Sequence, residues 1–482
     1  MIDVESSLAT GAPEVVLAAG LLVLLLVGAF QGDRAADGIS WGGVLLLVAA
    51  AVPLFDQEPA RTLAWGGLYV ADALSRYLKL LVFAGAAAAL LVAMPALRRQ
   101  AIARFEYPLL VLFATLGMAL MVSAHDLLTL YLGLELMSLS CYVLAAFDRC
   151  DARSSEAGLK YFALGALASG VLLYGVSLVY GFVGATGFDA IAQAVRGEGR
   201  SLGVVAGLAL VLAGLAFKIS AVPFHMWTPD VYQGAPTPVT AFLATAAKVA
   251  AFGLLLRVVV GAFGALAADW RQIVVFLSLA SMALGAVGAI GQTNAKRLMA
   301  YSAITHMGFA LIGLAPGTAQ GAQAVLLYLT VYLVMTFGAF LCLLSLVGPD
   351  GAAREELADL AGLARTRPGL AAALAIFMLS LAGLPPLFGF MPKLAVFAAA
   401  VEAGLWPLAV AGVLATVVAA FYYLRVVKLL YFDPPAGVGS AQVDEGVAPI
   451  LMLAAASFSS PLGFLLLGPL SAAGQAAARA LF

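Results

Sequence analysis

Charge is scarce in these 482 residues. Asp, Glu, Lys and Arg together make up 11% of the chain, and the formal net charge is −1. A water-facing globule of this size exposes far more charge than that, so a soluble domain is excluded. Without a basic excess there is no electrostatic footprint for nucleic acid, and no such partner is expected. Cysteine is limited to Cys141, Cys150 and Cys342, with no C-x-x-C pair. An iron–sulfur centre needs four clustered thiolates, so the three read as polarizable packing residues. The histidines, His125, His225 and His306, are too scattered to suggest a metal site. No glycine-rich phosphate loop occurs. No cofactor is therefore expected in this chain. The opening MIDVESSLATGAPEVV is acidic where a secretory signal is basic, so the first apolar run is expected to be retained.

What is abundant is apolar. Hydrophobic residues make up 63% of the chain, and the mean hydropathy is +1.04. A bilayer-spanning helix needs about 20 apolar residues, and such runs recur from Glu14 to Leu470. Lipid offers no partners for an open backbone, so these runs must be helices or a closed barrel. Their length selects an all-α membrane protein of about 14 transmembrane helices. The expected spans are 13–30, 41–55, 72–95, 108–124, 127–147, 157–184, 203–227, 236–262, 271–292, 297–315, 323–347, 370–402, 406–432 and 447–470.

With alternating spans, one face collects most of the cations, including Arg98, Arg99, Arg104, Arg149, Arg153, Lys160, Lys296, Arg297, Arg365 and Arg367. The other holds Arg61, Arg76, Lys79, Arg196, Arg200, Arg271 and Arg479. The positive-inside bias then places loops 96–107 and 348–369 in the cytoplasm and both termini outside.

Two spans are visibly broken. The run Gly214–His225 carries Pro223 inside it, and the run Gly383–Lys393 carries Pro385, Pro386 and Pro392. Proline removes a donor and clashes with the preceding turn. Carbonyls freed in this way survive at membrane depth only inside protein or beside water. The breaks fall in the seventh and twelfth expected spans, five apart. Two five-helix repeats over 108–262 and 263–432 account for that spacing, flanked by a three-helix segment 1–107 and a C-terminal helix in 433–482. An odd span count inverts one copy relative to the other, and paired broken helices mark transporter sites.

Four ionisable residues interrupt the apolar runs: Glu135, Lys218, Lys248 and Lys393. A charge at the bilayer centre costs about 2.5–3.5 kcal/mol on insertion scales, so its default reading is an ion or proton path. Among the acidic residues only Glu135 is expected deep in a span. Desolvation disfavours the charged form of a lone carboxylate or amine, whereas a Glu–Lys pair keeps both ions charged. Moving Glu135 toward or away from Lys218 would therefore switch the lysine between holding and releasing a proton. Lys248 follows one span later among alanines. His306 is placed to bridge toward Lys393, histidine being suited to relay work, and His225 adjoins the first break. Arg257 reads as snorkelling from a span end, His125 as structural, and Tyr422-Tyr423 as packing.

The run Phe217-Lys218-Ile219-Ser220-Ala221-Val222-Pro223-Phe224-His225-Met226-Trp227-Thr228-Pro229-Asp230 resembles the central motif of the antiporter-like membrane subunits of respiratory complex I. Gly234–Leu243, Lys296–Gly308 and Gly383–Lys393 extend the likeness over nearly the whole chain. Lysine at 393 resembles the subunit N branch rather than the M branch, which has glutamate there. The resemblance implies 14 spans, inverted repeats, a Glu135–Lys218 switch pair, Lys248 as connecting group and Lys393 in the second half-channel. It implies proton translocation driven by electron transfer in partner subunits of a bacterial inner-membrane complex. Flavin mononucleotide, iron–sulfur clusters and quinone would belong to those partners. A subunit of a multisubunit cation/proton antiporter, or a membrane scaffold with vestigial charges, remains an alternative reading.

Overall fold

The computed structural model describes residues 4–57, 60–196, 201–348, 353–435 and 446–482. An N-terminal segment comprises α1 (Val4–Thr10), α2 (Ala12–Gln31), α3 (Ala36–Asp56) and α4 (Ala73–Arg99). Next come α5 (Glu106–Val122), α6 (Leu127–Ala145), α7 (Ala152–Val183), α8 (Phe188–Arg196), α9 (Leu202–Ile219), α10 (Trp227–Gly234), α11 (Thr237–Ala244) and α12 (Ala246–Leu256). Beyond them lie α13 (Ala267–Ile290), α14 (Ala295–Leu314), α15 (Ala319–Leu344), α16 (Leu363–Thr366), α17 (Pro368–Ala382), α18 (Phe390–Glu402) and α19 (Trp406–Phe432). The chain ends on α20 (Val447–Ser459) and α21 (Leu467–Arg479).

The protein is a predominantly helical membrane protein. Ten helical stretches among the described residues are long and apolar enough to cross a bilayer, and α5, α17 and α20 are shorter apolar helices. The residues at helix starts explain the boundaries. Asp72 caps α4 in a reciprocal capping box with Ser75, Asp126 accepts from Leu128 N at 2.7 Å to start α6, and Asn294 caps α14. Each side chain satisfies a backbone donor that has no partner within the helix.

Helices α11, α12, α14 and α15 form the centre, almost entirely buried, whereas α2, α3 and α19 present apolar residues outward. Those exposed faces suit lipid or neighbouring subunits. Helices α5 and α6 cross where Gly117 meets Gly133: a Cβ on Gly117 would lie 2.5 Å from Met137 N. Helices α13 and α14 cross as closely at Gly285, where a Cβ would lie 2.8 Å from Thr305 N.

Several sequence expectations are corrected. A short antiparallel hairpin, β1 (Thr62–Ala64) with β2 (Tyr69–Ala71), interrupts the otherwise helical N-terminal segment. The expected span 236–262 is itself broken at Thr245 (φ −118°, ψ −86°), between α11 and α12. No proline marks that break; the Thr245 hydroxyl instead takes the Ala241 carbonyl at 2.6 Å. The expected final span 447–470 breaks at Ser460, whose extended backbone precedes Pro461. Glu135, expected as the one deep carboxylate, is partly exposed, whereas Glu14, Asp72 and Asp126 are each 4% exposed. Lys79, assigned to a loop face, is fully buried and contacts Glu14 at 2.7 Å. Arg257 does not snorkel but grips Asp72 with two hydrogen bonds of 2.8 Å. These groups went unread because partners far along the chain bury them, while local hydropathy registers only a span end. Arg200 and part of the 433–482 segment lie outside the described residues.

Candidate functional site

Helix α9 stops at Ser220, which adopts the left-handed conformation (φ 62°, ψ 34°). The next donors fold back, Ser220 N to Phe217 O at 3.0 Å and Ala221 N to Ala216 O at 2.9 Å, in the pattern of a C-terminal cap. The chain then turns through 221–226 before α10 begins. The Lys218 carbonyl, left over at the helix end, accepts from the Lys248 amine at 3.4 Å, and Lys248 also donates to the Ser220 hydroxyl. The Lys248 amine lies 4.8 Å from the Trp227 ring centre, and Trp227 in turn donates to the Phe217 carbonyl at 3.0 Å. A cation at a helix C-terminus is stabilised by the partial negative charge there.

The Lys218 amine turns the other way. It donates to the Ser138 hydroxyl at 2.7 Å and to the Tyr142 hydroxyl at 3.3 Å, both on α6. Glu135, one turn before Ser138, is partly exposed and accepts from Ser169 of α7. The expected switch pair is thus apart: no carboxylate lies within ion-pair distance of Lys218, Lys248 or Lys393 among the described residues. The three lysines are 5%, 1% and 3% exposed.

The second break repeats the chemistry with different parts. Helix α17 ends at Gly383 (φ 80°), and Lys393 from α18 donates to the Leu381 and Ala382 carbonyls, each at 2.9 Å. Glycine is required there twice over, by the positive φ and because a Cβ would sit 2.7 Å from Lys393 Cδ. At both breaks a buried lysine amine therefore completes the carbonyl end of the interrupted helix.

His306 is fully enclosed on α14. Its Nδ1 pairs with the Tyr328 hydroxyl at 2.6 Å and its Nε2 with the Tyr423 hydroxyl at 3.0 Å. Tyr423, which the sequence suggested as packing, also pairs with Ser302. Between His306 and Lys393 stands Phe309, 6.1 Å from the imidazole and 4.7 Å from the amine. His225 lies partly buried in the 221–226 turn. None of its ring contacts among the described residues joins it to a lysine.

At the end of the molecule carrying most of the cations, Asp230 binds Lys160 at 2.7 Å and Arg297 at 2.6 Å. Burial raises the Asp230 pKa, but the hydrogen bonds from Lys160 and Arg297 prevail and hold it below its ordinary value. Lys296 beside them binds Glu355 at 2.7 Å and the Ala235 carbonyl at 2.9 Å. A polar cavity of about 540 Å³ opens there, lined by Arg153, Gln233, Lys296, Glu355 and Asp359 among others. Sequence reading missed the hydroxyls of Ser138, Ser169, Ser220 and Tyr328. Of these only Ser138 carries a signal, its helical spacing three residues after the in-span charge of Glu135.

A run of buried amines on interrupted membrane helices defines a class of ion-translocating membrane subunits. Residues 124–419 match the model of the NADH:quinone oxidoreductase/Mrp antiporter transmembrane family, and the chain belongs to that family. It is 55% identical over all of both chains to NADH-quinone oxidoreductase subunit N of Rhizorhabdus wittichii. It is 52% identical to subunit N 1 of Rhizobium meliloti, covering 99% of this chain and 98% of that one. A chain of respiratory complex I from Thermus thermophilus with bound aureothin superposes with a TM-score of 0.81 at 36% identity, covering 96% of this chain and 99% of that one. A chain of the Mrp complex from Dietzia sp. shares the fold, with a TM-score of 0.83 at 24% identity over 98% and 97%.

Proposed function

We propose that this chain is a proton-carrying membrane subunit of an NADH–quinone oxidoreductase, driven by electron transfer in its partner subunits. The observation that carries the reading is the set of three buried amines, Lys218, Lys248 and Lys393, held by carbonyls and hydroxyls with no carboxylate at ion-pair distance among the described residues. Removing an ammonium from water costs several kcal/mol even after relaxation. Moving one charge against ~100 mV costs about 2.3 kcal/mol. The desolvation term is the larger, so gain or loss of an ion partner suffices to load or unload such an amine.

In this reading Glu135 is the movable partner. Held by Ser169, it leaves Lys218 to Ser138 and Tyr142 and favours proton release. Swung one turn along α6, it would keep Lys218 charged. Lys248, bonded to the carbonyl of Lys218, receives the proton, and His306 with its tyrosines carries it toward Lys393 past Phe309. The Asp230–Lys160–Arg297 cluster and the adjoining polar cavity serve as the entry side, and His225 marks the turn between entry and lysine.

We further read the chain as about 14 crossings in two inverted five-helix repeats, 108–262 and 263–432, after a 1–107 segment and before the 433–482 helix. Two parallels support this: the close pairs α5–α6 and α13–α14, and the left-handed helix ends at Ser220 and Gly383. Both termini would then face the periplasm. Flavin, iron–sulfur and quinone chemistry belongs to partner subunits, which reach this chain through its exposed helix faces. The high likeness to subunit N relatives favours this over a cation/proton antiporter.

The test uses inverted membrane vesicles carrying wild-type or Lys218→Ala complex at equal assembly, with quinone reduction and proton uptake recorded together. Loss of proton uptake per electron is expected. An unchanged ratio would remove Lys218 from the path and favour a scaffold.

A further inference from the structure

A second acid–lysine set lies in the N-terminal segment, away from the four charges discussed so far. Lys79 of α4 is fully buried, Glu14 of α2 is 4% exposed, and Tyr69 of β2 is 2% exposed. The Lys79 amine contacts Glu14 Oε1 at 2.7 Å and donates to the Tyr69 hydroxyl at 2.6 Å. The Tyr69 hydroxyl donates to Glu14 Oε2 at 2.7 Å. The three side chains close a ring in which each touches the other two. A buried ion pair is often no more stable than apolar groups of the same volume, so folding alone does not account for it.

Its position is specific. Helices α4 and α12 run antiparallel: a Cβ on Gly85 would lie 3.2 Å from Ala246 Cβ, and one on Gly253 would lie 2.3 Å from Leu78 Cδ1. That register sets Lys79 beside residue 252, four residues beyond Lys248, or about 6 Å further toward the N-terminal face. Asp72 and Arg257 pair beyond it, where they cap the adjoining ends of the same two helices. Above the ring the Trp65 side chain stands edge-on to Tyr69 at 5.0 Å and packs against Gly11. The set thus occupies the interval between the central lysines and the outer end of the chain.

We propose that Glu14, Tyr69 and Lys79 form a further proton-transfer site, carrying protons between the level of Lys248 and the N-terminal face. The proposal rests on the proton-carrying reading above. The hydrogen bonds define the step. The Lys79 ammonium gives a proton to the Tyr69 oxygen while the phenolic proton passes to Glu14 Oε2. An amine, a phenol and a carboxylic acid result, all neutral, with no proton gained or lost. The free amine then accepts a proton from the Lys248 side, and Glu14 releases its own toward the Trp65 side, restoring the ion pair.

The test is the double variant Glu14→Met/Lys79→Met in assembled complex, which leaves no unpaired buried charge. Proton uptake per electron is measured in inverted vesicles beside wild type and Lys218→Ala. A loss matching that of Lys218→Ala is expected. A wild-type ratio in the double variant, with the Lys218→Ala ratio reduced, overturns this inference and leaves the function standing. Wild-type ratios in both overturn the function as well. If the double variant fails to assemble, Glu14→Gln is read in the same way. If neither assembles, the set is a fold-holding ion pair and the inference is overturned.

Discussion

At the level of single residues, the lysines were legible because an amine inside an apolar run is costly whatever surrounds it. Their partners, and those of His306, were not. Ser138, Tyr142, Ser220, Tyr328 and Tyr423 are residue types that any membrane helix carries, and only the contacts distinguish them. Ser220 shows the difference most clearly. It sits at φ 62°, where a side chain costs about 1–2 kcal/mol, yet its hydroxyl takes both Lys248 and Thr228. Glycine would relieve the backbone and delete the hydroxyl. Ser220→Gly is therefore expected to assemble with a melting temperature close to wild type but to lose proton uptake per electron. A fully retained ratio would show the hydroxyl to be a backbone cap only.

At the level of elements, prolines announced the breaks after α9 and α17, since no helix continues undisturbed through Val222-Pro223 or Leu384-Pro385-Pro386. The break at Thr245 was silent because a side-chain hydroxyl, not a missing donor, takes up the local carbonyl. Helix pairing was silent as well: the chain has 50 glycines, and only the fold selects Gly117 and Gly133 as a crossing point. That crossing sets the position of Glu135, two residues beyond Gly133. A valine at 117 would have its Cβ 2.5 Å from Met137 N and 2.7 Å from Gly133 O. Backbone cannot yield as a flexible side chain does, and overpacking typically costs 1–3 kcal/mol. Gly117→Val is expected to lower complex yield on native gels, with what assembles pumping less per electron. Gly170→Val, where a Cβ meets open space, serves as the control and is expected to match wild type.

For the molecule as a whole, the N-terminal segment is tied to α8 and to the ends of α6 and α12 by charges that hydropathy could not pair. Asp72 binds Arg257 across 185 positions. Arg61 contacts both the His125 ring at 2.8 Å and Asp189 at 2.7 Å, with His125 Nε2 3.1 Å from Asp189. Burial lowers the His125 pKa from its ordinary 6.5, against the opposing pull of Asp189. Asp189, raised by burial but lowered more by Arg61 and His125, falls below its ordinary 3.8. Both folded values are depressed, so both contributions to stability are complete above 6.5 and are lost as pH falls through the folded values. Asp189 is 54% exposed, so solvent screens the pair and the effect stays local. Amide exchange at Leu127 and Phe188, which bond Thr186 O and His125 O, is expected to accelerate on acidification after correction for intrinsic rates. His125→Gln is expected to flatten that dependence above pH 5.

Sequence alone determined that this chain is a helical membrane protein, that two of its spans are interrupted, and that Glu135, Lys218, Lys248 and Lys393 fall inside apolar runs. Those facts follow from transfer energies and backbone sterics, which act on local sequence. The tertiary structure decided which groups meet. It held Glu135 apart from Lys218, set Lys248 and Lys393 on the carbonyl ends of broken helices, and buried Glu14 with Lys79. Such pairings depend on how distant helices cross, and a crossing is fixed by the packing of whole surfaces, which no local run of residues encodes.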